Sequence, residues 1–407
     1  MNQDLPAKEI VVTGVGVVTP LDCGKGTQDF WDKLCRGTNA IKPIRGFDVR
    51  GHKCNVGGEA CGFESFLDDH WEKEHDRCAG LFALASRYAL QDAGADNSLI
   101  RAMGVVVGTI LGGIESGERY MRGRFSIPKK EDPNLLKQYR LHATADYIKK
   151  RFVLQGPSIS LNTACCSGAD AIRGAASCIR NDDAAMMMAG GVDILSEFVF
   201  RGFSALNALT TDGKVRPFDK NRTGLALSEG AGVLILEEKN HACERGARIY
   251  CTLVSSGSSA DAYHLVRPTK DGDGLFRAMS NALSRIEGAG DTVDYICAHG
   301  TGTQHNDHME ARAIKRVFGK RTPLVKVGSI KSMIGHMLGA ASAVEAINCI
   351  KAMEHGIIPP TINFEEPDPD CDLQYVVNAA MKKSIKTCMS LSAGFGGQNT
   401  ALVFRKS

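Results

Sequence analysis

The sequence predicts an α/β fold built from two related halves. Short apolar runs alternate with amphipathic stretches along the chain, as expected for buried strands separated by helices. Two Gly-rich turns also lead into similar strands, SEGAGVLILEE at 228–238 and AGFGGQNTALVFRK at 393–406. The first follows a strand–turn–helix unit that contains SISLNTACC, and the second follows one that contains YICAHGTGT. We therefore expect a duplication, with an N-terminal half at 1–243 and a C-terminal half at 244–407. Chance similarity of short segments is the alternative explanation.

The predicted elements follow one another in a regular series. Ile10–Val18 is predicted to be a buried strand because it is almost continuously apolar. Helical spacing of apolar residues predicts a helix at 82–93, and a second buried strand follows at 103–108. Further strands are predicted at 158–162 and 185–191. Strands and helices that alternate at this spacing favour a layered α/β architecture.

Composition excludes several classes of protein. The formal net charge of +3 over 407 residues gives no reason to expect a nucleic-acid partner. No apolar run approaches the roughly 18 residues of a membrane span, and no secretory signal is recognisable, so a cytoplasmic location is expected. The 14 cysteines include no CxxC pair, which predicts reduced thiols used mainly for core packing.

Two adjacent cysteines lie between a β-prone segment and a helical pattern, in NTACCSGADAIRGA at 162–175. If the helix begins near Cys165, that residue shares an apolar seam with Ala169 and Ile172, whereas Cys166 lies on a polar seam. Cys165 is therefore expected to point into an enclosed pocket. The positive end of the helix would lower the pKa of its thiol, and free N–H groups there would hold an oxyanion. A buried structural cysteine is the alternative.

A histidine-rich segment, AHGTGTQHNDHMEA at 298–311, follows the short apolar strand YIC. His299 falls at the end of that strand. His305, His308 and Glu310 lie close to it along the chain, so a metal-dependent hydrolase is one hypothesis. However, HNDH does not match the zinc-binding pattern HExxH, and an exposed polar loop explains His305 and His308 equally well. We predict no metal site here.

A third segment, VGSIKSMIGHMLGAASAVEAINCIKAM at 327–353, combines a lysine and a histidine with an apolar helical stripe. Lys331 lies after an apolar strand, and His336 lies at or near the start of a helix. The field at a helix N-terminus opposes protonation, so His336 should be a neutral hydrogen-bond donor to a carbonyl. A histidine that merely starts the helix is the alternative. Cys165, His299 and His336 would meet if the two halves pack face to face.

The motifs TACCSG, HGTGT and SIKSMIGHMLGAA, in this order, resemble the elongating β-ketoacyl-acyl-carrier-protein synthases. RPFDKNRTG, SEGAGVLILEE and the terminal GFGGQN also match, so the resemblance covers essentially the whole chain. It is strongest to synthase II and to the ketosynthase subunits of type II polyketide systems. The resemblance implies a thiolase fold, in which two αβα halves form a five-layered αβαβα sandwich, and a dimer.

The resemblance also assigns roles to matching positions. Cys165 matches the acyl-accepting nucleophile, and His299 and His336 match the catalytic pair. Lys331 matches a motif lysine, and Glu310 the acid that tethers it. A mobile gate matches Phe395, and its backbone N–H would form the oxyanion hole with that of Cys165. The substrate pocket matches Leu111, Phe203, Thr301 and Thr303. A docking surface for the carrier protein matches Lys129 and Lys130.

The implied reaction is a decarboxylative condensation of a cysteine-bound acyl chain with malonyl-acyl carrier protein, without a metal or organic cofactor. The implied partners are acyl carrier protein and either a second copy or a chain-length-factor-like subunit. Cys166, Gln398 and the segment 141–152 depart from the usual family pattern, which leaves fatty-acid and polyketide assembly both open. A non-catalytic chain-length factor would lack the nucleophile, and a thiolase would need a second cysteine where GFGGQN lies.

Overall fold

The computed structural model describes residues 8–67, 75–130, 132–286 and 293–407. Its strands, in chain order, are β1 (Ile10–Val18), β2 (Lys42–Pro43), β3 (Val56–Gly57), β4 (Gly104–Gly108), β5 (Ser158–Leu161), β6 (Met186–Asp193), β7 (Gly230–Glu238), β8 (Cys251–Ala260), β9 (Tyr295–Cys297), β10 (Lys326–Gly328), β11 (Ile357–Ile358), β12 (Gln374–Tyr375), β13 (Met381–Lys382), β14 (Thr387–Gly394) and β15 (Gln398–Lys406).

The α-helices of the same residues are α1 (Thr27–Cys35), α2 (Arg77–Asp92), α3 (Asn97–Ala102), α4 (Ile114–Phe125), α5 (Leu135–Gln138), α6 (Ala143–Arg151), α7 (Ser167–Arg180), α8 (Glu197–Ala205), α9 (Lys239–Glu244), α10 (Asp273–Leu283), α11 (Gln304–Phe318), α12 (Lys331–Ile334) and α13 (Ala341–His355). The strand predicted at Ile10–Val18 has the predicted bounds. The helix predicted at 82–93 begins earlier, at Arg77, because the Asp76 side chain caps it by accepting from the Cys78 N–H.

Two sheets of like topology join along one edge. Hydrogen bonding gives a single 11-stranded order of β12-β10-β9-β14-β15-β8-β1-β7-β6-β4-β5 in the described residues. β1 meets β8 over only two residue pairs, Val11 with Thr252 and Val12 with Cys251, which is where the halves connect. Outward from this junction, each half has two antiparallel pairings followed by parallel ones. The duplication predicted from the sequence is therefore present.

The duplication pairs different segments from those we expected. β7 and β15 occupy equivalent places, as their SEGAGVLILEE and AGFGGQNTALVFRK segments predicted. YICAHGTGT, which contains β9, corresponds to β4 with its following GTILGG turn, whereas SISLNTACC, which contains β5, corresponds to β10. The predicted equivalence of SISLNTACC and YICAHGTGT was wrong because short strands with small-residue turns look alike along the chain and only their order in the sheet separates them.

The layers follow from the cores on each side of the sheets. α2 packs on the outer face of the first half, and α10 and α11 pack on the outer face of the second. α7 and α13 lie between the halves, and their apolar residues belong to one core with strands of both sheets. The result is the five-layered αβαβα arrangement of the thiolase fold. It brings the chain segments that follow β5, β9 and β10 to the same central region.

Candidate active site

Cys165 sits on a sharp turn between β5 and α7. Ala164, directly before it, has a φ of 51°, a left-handed conformation that non-glycine residues seldom adopt. The Ser167 hydroxyl braces the turn: it accepts from the Thr163 N–H at 3.0 Å and donates to the Ala164 carbonyl at 2.6 Å. The helix begins at Ser167 rather than near Cys165. The strained turn presents the cysteine beyond the end of the strand.

The two cysteines point to different surroundings. Cys165 lines a cavity, whereas the Cys166 thiol donates to the Gln398 carbonyl at 3.3 Å and is fully buried. The expectation that Cys165 rather than Cys166 faces a pocket agrees with this placement. Further along the polar seam predicted for Cys166, Asp170 and Arg173 form an ion pair, whereas β15 covers the Cys166 end.

Burial is the largest influence on the pKa of the Cys165 thiol. Only 5% of the residue is exposed, and burial raises its pKa to about 11, although the charge of Lys331 and a hydrogen bond from the Phe395 N–H act in the opposite direction. The lowered pKa that we predicted from the helix N-terminus was therefore wrong, because burial outweighs the favourable charges. A thiol with a raised pKa must lose its proton when it attacks.

His299 leaves the end of β9 at a turn held by a buried carboxylate. The Glu310 side chain accepts from the backbone N–H of His299 at 2.6 Å and from that of Gly300 at 2.8 Å. Burial raises the pKa of Glu310 to about 8 against these hydrogen bonds. Glu310 thus fixes the backbone of the His299 loop and forms no ion pair with Lys331 in the described structure.

The carboxylate that pairs with Lys331 is Glu345, which lies on α13. This ion pair is 1% exposed at the lysine and 2% at the glutamate. Lys331 Nζ also donates to the His299 carbonyl at 2.7 Å and lies 3.3 Å from His299 Nδ1. The predicted tether, Glu310, was wrong because α13 packs its own acid against the lysine. An acidic residue inside the apolar stripe of 338–347 was the available signal, and we overlooked it.

His336 lies in a short turn between α12 and α13 instead of on the first turn of a long helix. The Leu338 N–H donates to its Nδ1 at 3.0 Å, and Leu338 itself has a left-handed φ of 53°. The backbone of His336 pairs with the segment before β7, where the His336 N–H donates to the Ala226 carbonyl at 2.8 Å. These contacts fix both the position of the ring and the nitrogen that accepts.

The three predicted reactive groups meet. One ligating atom each of Cys165, His299 and His336 lies within 4.8 Å of the others, and the two imidazole rings are 5.3 Å apart at 85°. Burial, followed by the charge of Lys331, holds the pKa of both histidines well below its usual range. Because Nδ1 of each ring accepts from a donor, each neutral ring carries its proton on Nε2. The site therefore offers two N–H donors beside one thiol.

A cavity of about 650 Å³ opens onto these groups. Phe203, Thr301 and Thr303 line it, as predicted for the substrate pocket, and the two threonine hydroxyls are 2.9 Å apart. The predicted gate, Phe395, also lines the cavity and stacks on Phe203 with a centroid distance of 5.3 Å. The two rings form an aromatic wall beside the thiol.

The other predicted site residues lie elsewhere. Leu111 does not line this cavity; it packs in the apolar cluster that also contains Phe203, so its expected place at the far end of the acyl pocket stays a prediction. The Leu111 N–H donates to Asp193, which pulls the loop inward. Lys129 and Lys130 are exposed beyond the end of α4 and do not line the cavity.

Asp193, at the end of β6, is a buried residue of the site region that we did not predict. Its carboxylate accepts from the Thr109 hydroxyl at 2.8 Å, from the Leu111 N–H at 3.0 Å and from the Gly339 N–H at 2.7 Å. Gly339 follows Leu338, whose N–H fixes the His336 ring. Asp193 therefore ties the β4 loop to the turn that carries His336. A lone acid at the end of the apolar strand MMMAGGVD was the signal.

Similarity to known proteins extends along almost the whole chain. Residues 7–242 match the N-terminal domain of beta-ketoacyl synthases, and residues 250–365 match the C-terminal domain. The 3-oxoacyl-[acyl-carrier-protein] synthase 2 of Coxiella burnetii is 38% identical over 98% of this chain and 99% of its own length. Among the described helices, none has the length and apolar character to cross a membrane.

Solved structures agree with the fold. The ishigamide ketosynthase/chain length factor superposes with a TM-score of 0.93 at 32% identity, over 98% of this chain and 100% of that one. A type II PKS acyl-carrier protein in complex with its ketosynthase bound to the hexaketide gives a TM-score of 0.89 at 31% identity, again over 98% and 100%.

Proposed function

Because the chain belongs to the β-ketoacyl synthase family, we propose that Cys165 accepts an acyl group and that His299 and His336 promote the condensation that extends it. The enzyme is a condensing acyltransferase of the 3-oxoacyl-acyl-carrier-protein synthase type. The observation that carries the proposed roles is the convergence of one thiol and two neutral imidazoles within 4.8 Å at the wall of a deep cavity.

Acyl transfer begins when the sulfur of Cys165 attacks the carbonyl of an acyl thioester. The Cys165–acyl bond forms, the bond between the acyl carbon and the sulfur of the substrate thioester breaks, and the proton lost by Cys165 balances the one gained by the departing thiol. The Phe395 N–H lies near enough to the sulfur of Cys165 to favour its ionised form, and together with the Cys165 N–H it would stabilise the oxyanion.

Condensation follows with a malonyl thioester. The Nε2–H groups of His299 and His336 donate to its thioester carbonyl, which stabilises the enolate as the carboxylate leaves as carbon dioxide. The enolate carbon attacks the acyl group, a carbon–carbon bond forms, and the Cys165 thiolate departs and takes up a proton. The Lys331 ammonium, held by Glu345, keeps His299 oriented. The thioester and the carboxylate supply the driving force, so this scheme requires no cofactor.

Acyl carrier protein is the proposed bearer of both substrates. The substrates must reach a buried sulfur, which a long flexible thioester arm inside the cavity would allow. Lys129 and Lys130, exposed after α4, are proposed to dock an acidic carrier protein. Charge reversal at both should raise the apparent KM for carrier-bound substrate and leave kcat unchanged, whereas an unchanged KM would remove them from the docking surface.

A second subunit is proposed at the outer edge of the first half. In the described structure β5 pairs with β4 on one side and forms the edge of the sheet on the other. Apolar side chains are exposed near the end of α4, with Phe125 at 75% and Ile127 at 100%. A copy of this chain or a chain-length-factor-like subunit would cover them. Native mass spectrometry distinguishes the two: a stable homodimer supports the first, and a monomer inactive without another subunit supports the second.

The pathway has two candidates. Fatty-acid elongation accords with the named synthase 2 relative. Polyketide-type assembly accords with the two superposed ketosynthases, one of which is paired with a chain length factor. A panel of carrier-bound substrates decides between them: saturated acyl chains extended once and reduced by partner enzymes support the former, and repeated extension without reduction supports the latter.

Intact-protein mass spectrometry tests the central proposal. Incubation with acyl-carrier protein should add one acyl mass to the wild type and to the matched control Cys178→Ala, and none to Cys165→Ala. His336→Ala should still become acylated, while release of carbon dioxide from malonyl-carrier protein should fall by about 10²–10³-fold, the usual cost of losing one such donor. Acylation of Cys165→Ala, or undiminished decarboxylation by His336→Ala, would overturn the assigned roles.

A further inference from the structure

A second group of metal-ligating side chains lies on the far side of α11 from the reactive cysteine. His308 projects from α11 toward the turn Pro369–Cys371. Its Nε2 is 3.0 Å from Asp368 Oδ2 and 4.0 Å from Asp370 Oδ2. One ligating atom each of His308, Asp368 and Cys371 lies within 4.8 Å of the other two. Nitrogen, oxygen and sulfur ligands thus surround one point.

We propose that His308, Asp368 and Cys371 bind a divalent transition-metal ion, zinc above all, with Asp370 or water in the fourth position. Zinc is bound tetrahedrally at about 2.0–2.3 Å, which places neighbouring ligand atoms roughly 3.3–3.6 Å apart. The distances from His308 Nε2 to Asp368 Oδ2, 3.0 Å, and to Asp370 Oδ2, 4.0 Å, lie on either side of these values. Small rotamer shifts would therefore bring the ligand atoms to tetrahedral positions around one ion. A set that includes a thiolate and an imidazole selects zinc over magnesium or calcium.

The local charge favours a cation. Asp307 and Asp368 flank the buried guanidinium of Arg222, and Asp370 adds a third carboxylate 4.0 Å from His308. Arg222 Nη1 donates to Asp368 Oδ2 at 2.6 Å, and its Nε is 3.6 Å from Asp307. Three carboxylates against one cation leave a negative excess, which grows when the Cys371 thiol gives up its proton to the solvent on binding metal. Arg222 would orient the ligating carboxylate from outside.

The ligands are preorganised and accessible. Asp368 shapes the turn that carries them: its side chain accepts from the Asp370 N–H at 2.9 Å, and its carbonyl accepts from the Cys371 N–H at 2.9 Å. Cys371 is buried, whereas Asp370 is largely exposed and His308 partly so, which gives a path from the solvent. The ligands come from segments 60 residues apart, so the local spacing that we examined in 298–311 could not indicate the site.

A metal here would clamp the turn at 369–371 to α11. That helix carries Glu310, which holds the His299 loop, and begins at Gln304 on the cavity wall. The ion would therefore stabilise the second half without touching the reacting atoms. The proposal does not depend on the function proposed above.

Titration of the purified, chelator-treated full chain with Co²⁺ and Zn²⁺ tests this proposal. Co²⁺ should give a thiolate-to-metal charge-transfer band and bind at one equivalent to the wild type, and Zn²⁺ should displace it and raise the melting temperature. His308→Gln and Cys371→Ser should each weaken binding at least tenfold. Cys178→Ser is the matched control, and Cys165→Ala controls for metal capture by the reactive thiol and its histidines.

The outcomes are distinct. Binding kept in Cys165→Ala and Cys178→Ser but lost in His308→Gln supports the site. Any of three results would overturn it. Metal binding could be lost in Cys165→Ala alone, the affinity of His308→Gln could equal that of the wild type, or the wild type could lack the thiolate-to-metal band. If Cys371→Ser does not fold, His308→Gln decides, because that side chain is partly exposed and its replacement leaves the core intact.

Discussion

The buried pair of Lys331 and Glu345 gives the sharpest prediction about stability. Replacing Lys331 with Met leaves a carboxylate on α13 that is 2% exposed and whose Oε2 already has no hydrogen-bond partner in the described structure. Breaking a buried ion pair by removing one partner costs about 3–5 kcal/mol. At pH 8, where the buried Glu345 carboxyl must either remain charged or take up a proton at a cost, we expect Lys331→Met to lower the free energy of unfolding by that amount, which is a large share of a typical domain's about 5–15 kcal/mol.

A double-mutant cycle isolates the pair. Glu345→Gln alone strands the lysine charge, whereas Lys331→Met with Glu345→Gln contains neither charge. The double variant should therefore cost less than the sum of the singles, by an interaction term of about 2–3 kcal/mol. Urea unfolding followed by circular dichroism measures all four proteins. Lys220→Met, which breaks an exposed pair with Glu366, is the control and should leave the midpoint almost unchanged.

The pH dependence gives an independent check. Burial raises the pKa of Glu345 to about 7 even with Lys331 present, and loss of the lysine charge raises it further. A carboxyl with a folded-state pKa above its unfolded value binds protons more tightly in the folded state, so its stabilising contribution is lost as pH rises. Lys331→Met should therefore be more destabilised at pH 8 than at pH 5.5. Additive single effects within about 0.5 kcal/mol, or a cost independent of pH, would refute this account.

Three further predictions concern the site and its packing. Alkylation of Cys165 by iodoacetamide, followed by intact mass, should keep accelerating above pH 9 because burial raises the thiol pKa to about 11; a plateau near pH 7 would contradict this. Asp193→Asn should lower kcat more than KM, because two N–H groups that donate to Asp193 lose a carboxylate partner and the His336 turn loosens. A lower free energy of unfolding with an unchanged kcat would show instead that Asp193 has a purely structural role. Gly168→Ala should destabilise by about 1–3 kcal/mol in urea, since its Cβ would lie 2.9 Å from Ala343; a neutral effect would show that α7 and α13 separate readily.

Local sequence predicted the reactive groups well and their partners poorly. Cys165 and His299 each follow an apolar strand within four residues, and His336 lies in the turn between α12 and α13, so short local patterns place all three. Which acid meets Lys331 depends instead on how α13 packs against the turn after β10, and Glu310 and Glu345 are equally acidic in the sequence. The position of the Leu111 loop likewise depends on a residue of another strand, Asp193, which accepts from the Leu111 N–H.

Burial also explains why the pKa of the Cys165 thiol is raised and not lowered as predicted. The helix terminus and Lys331 favour the ionised sulfur, but removing water from the same space penalises it more, and the pKa rises. The same loss of water penalises imidazolium, so His299 stays neutral and remains an N–H donor. One physical cause therefore favours the uncharged form of the thiol and of both imidazoles, and in the proposed mechanism charge would develop beside the Phe395 N–H and the imidazole N–H groups. Such a site would stabilise the oxyanion and the enolate that form during the reaction, and it disfavours a thiolate or an imidazolium before substrate binds.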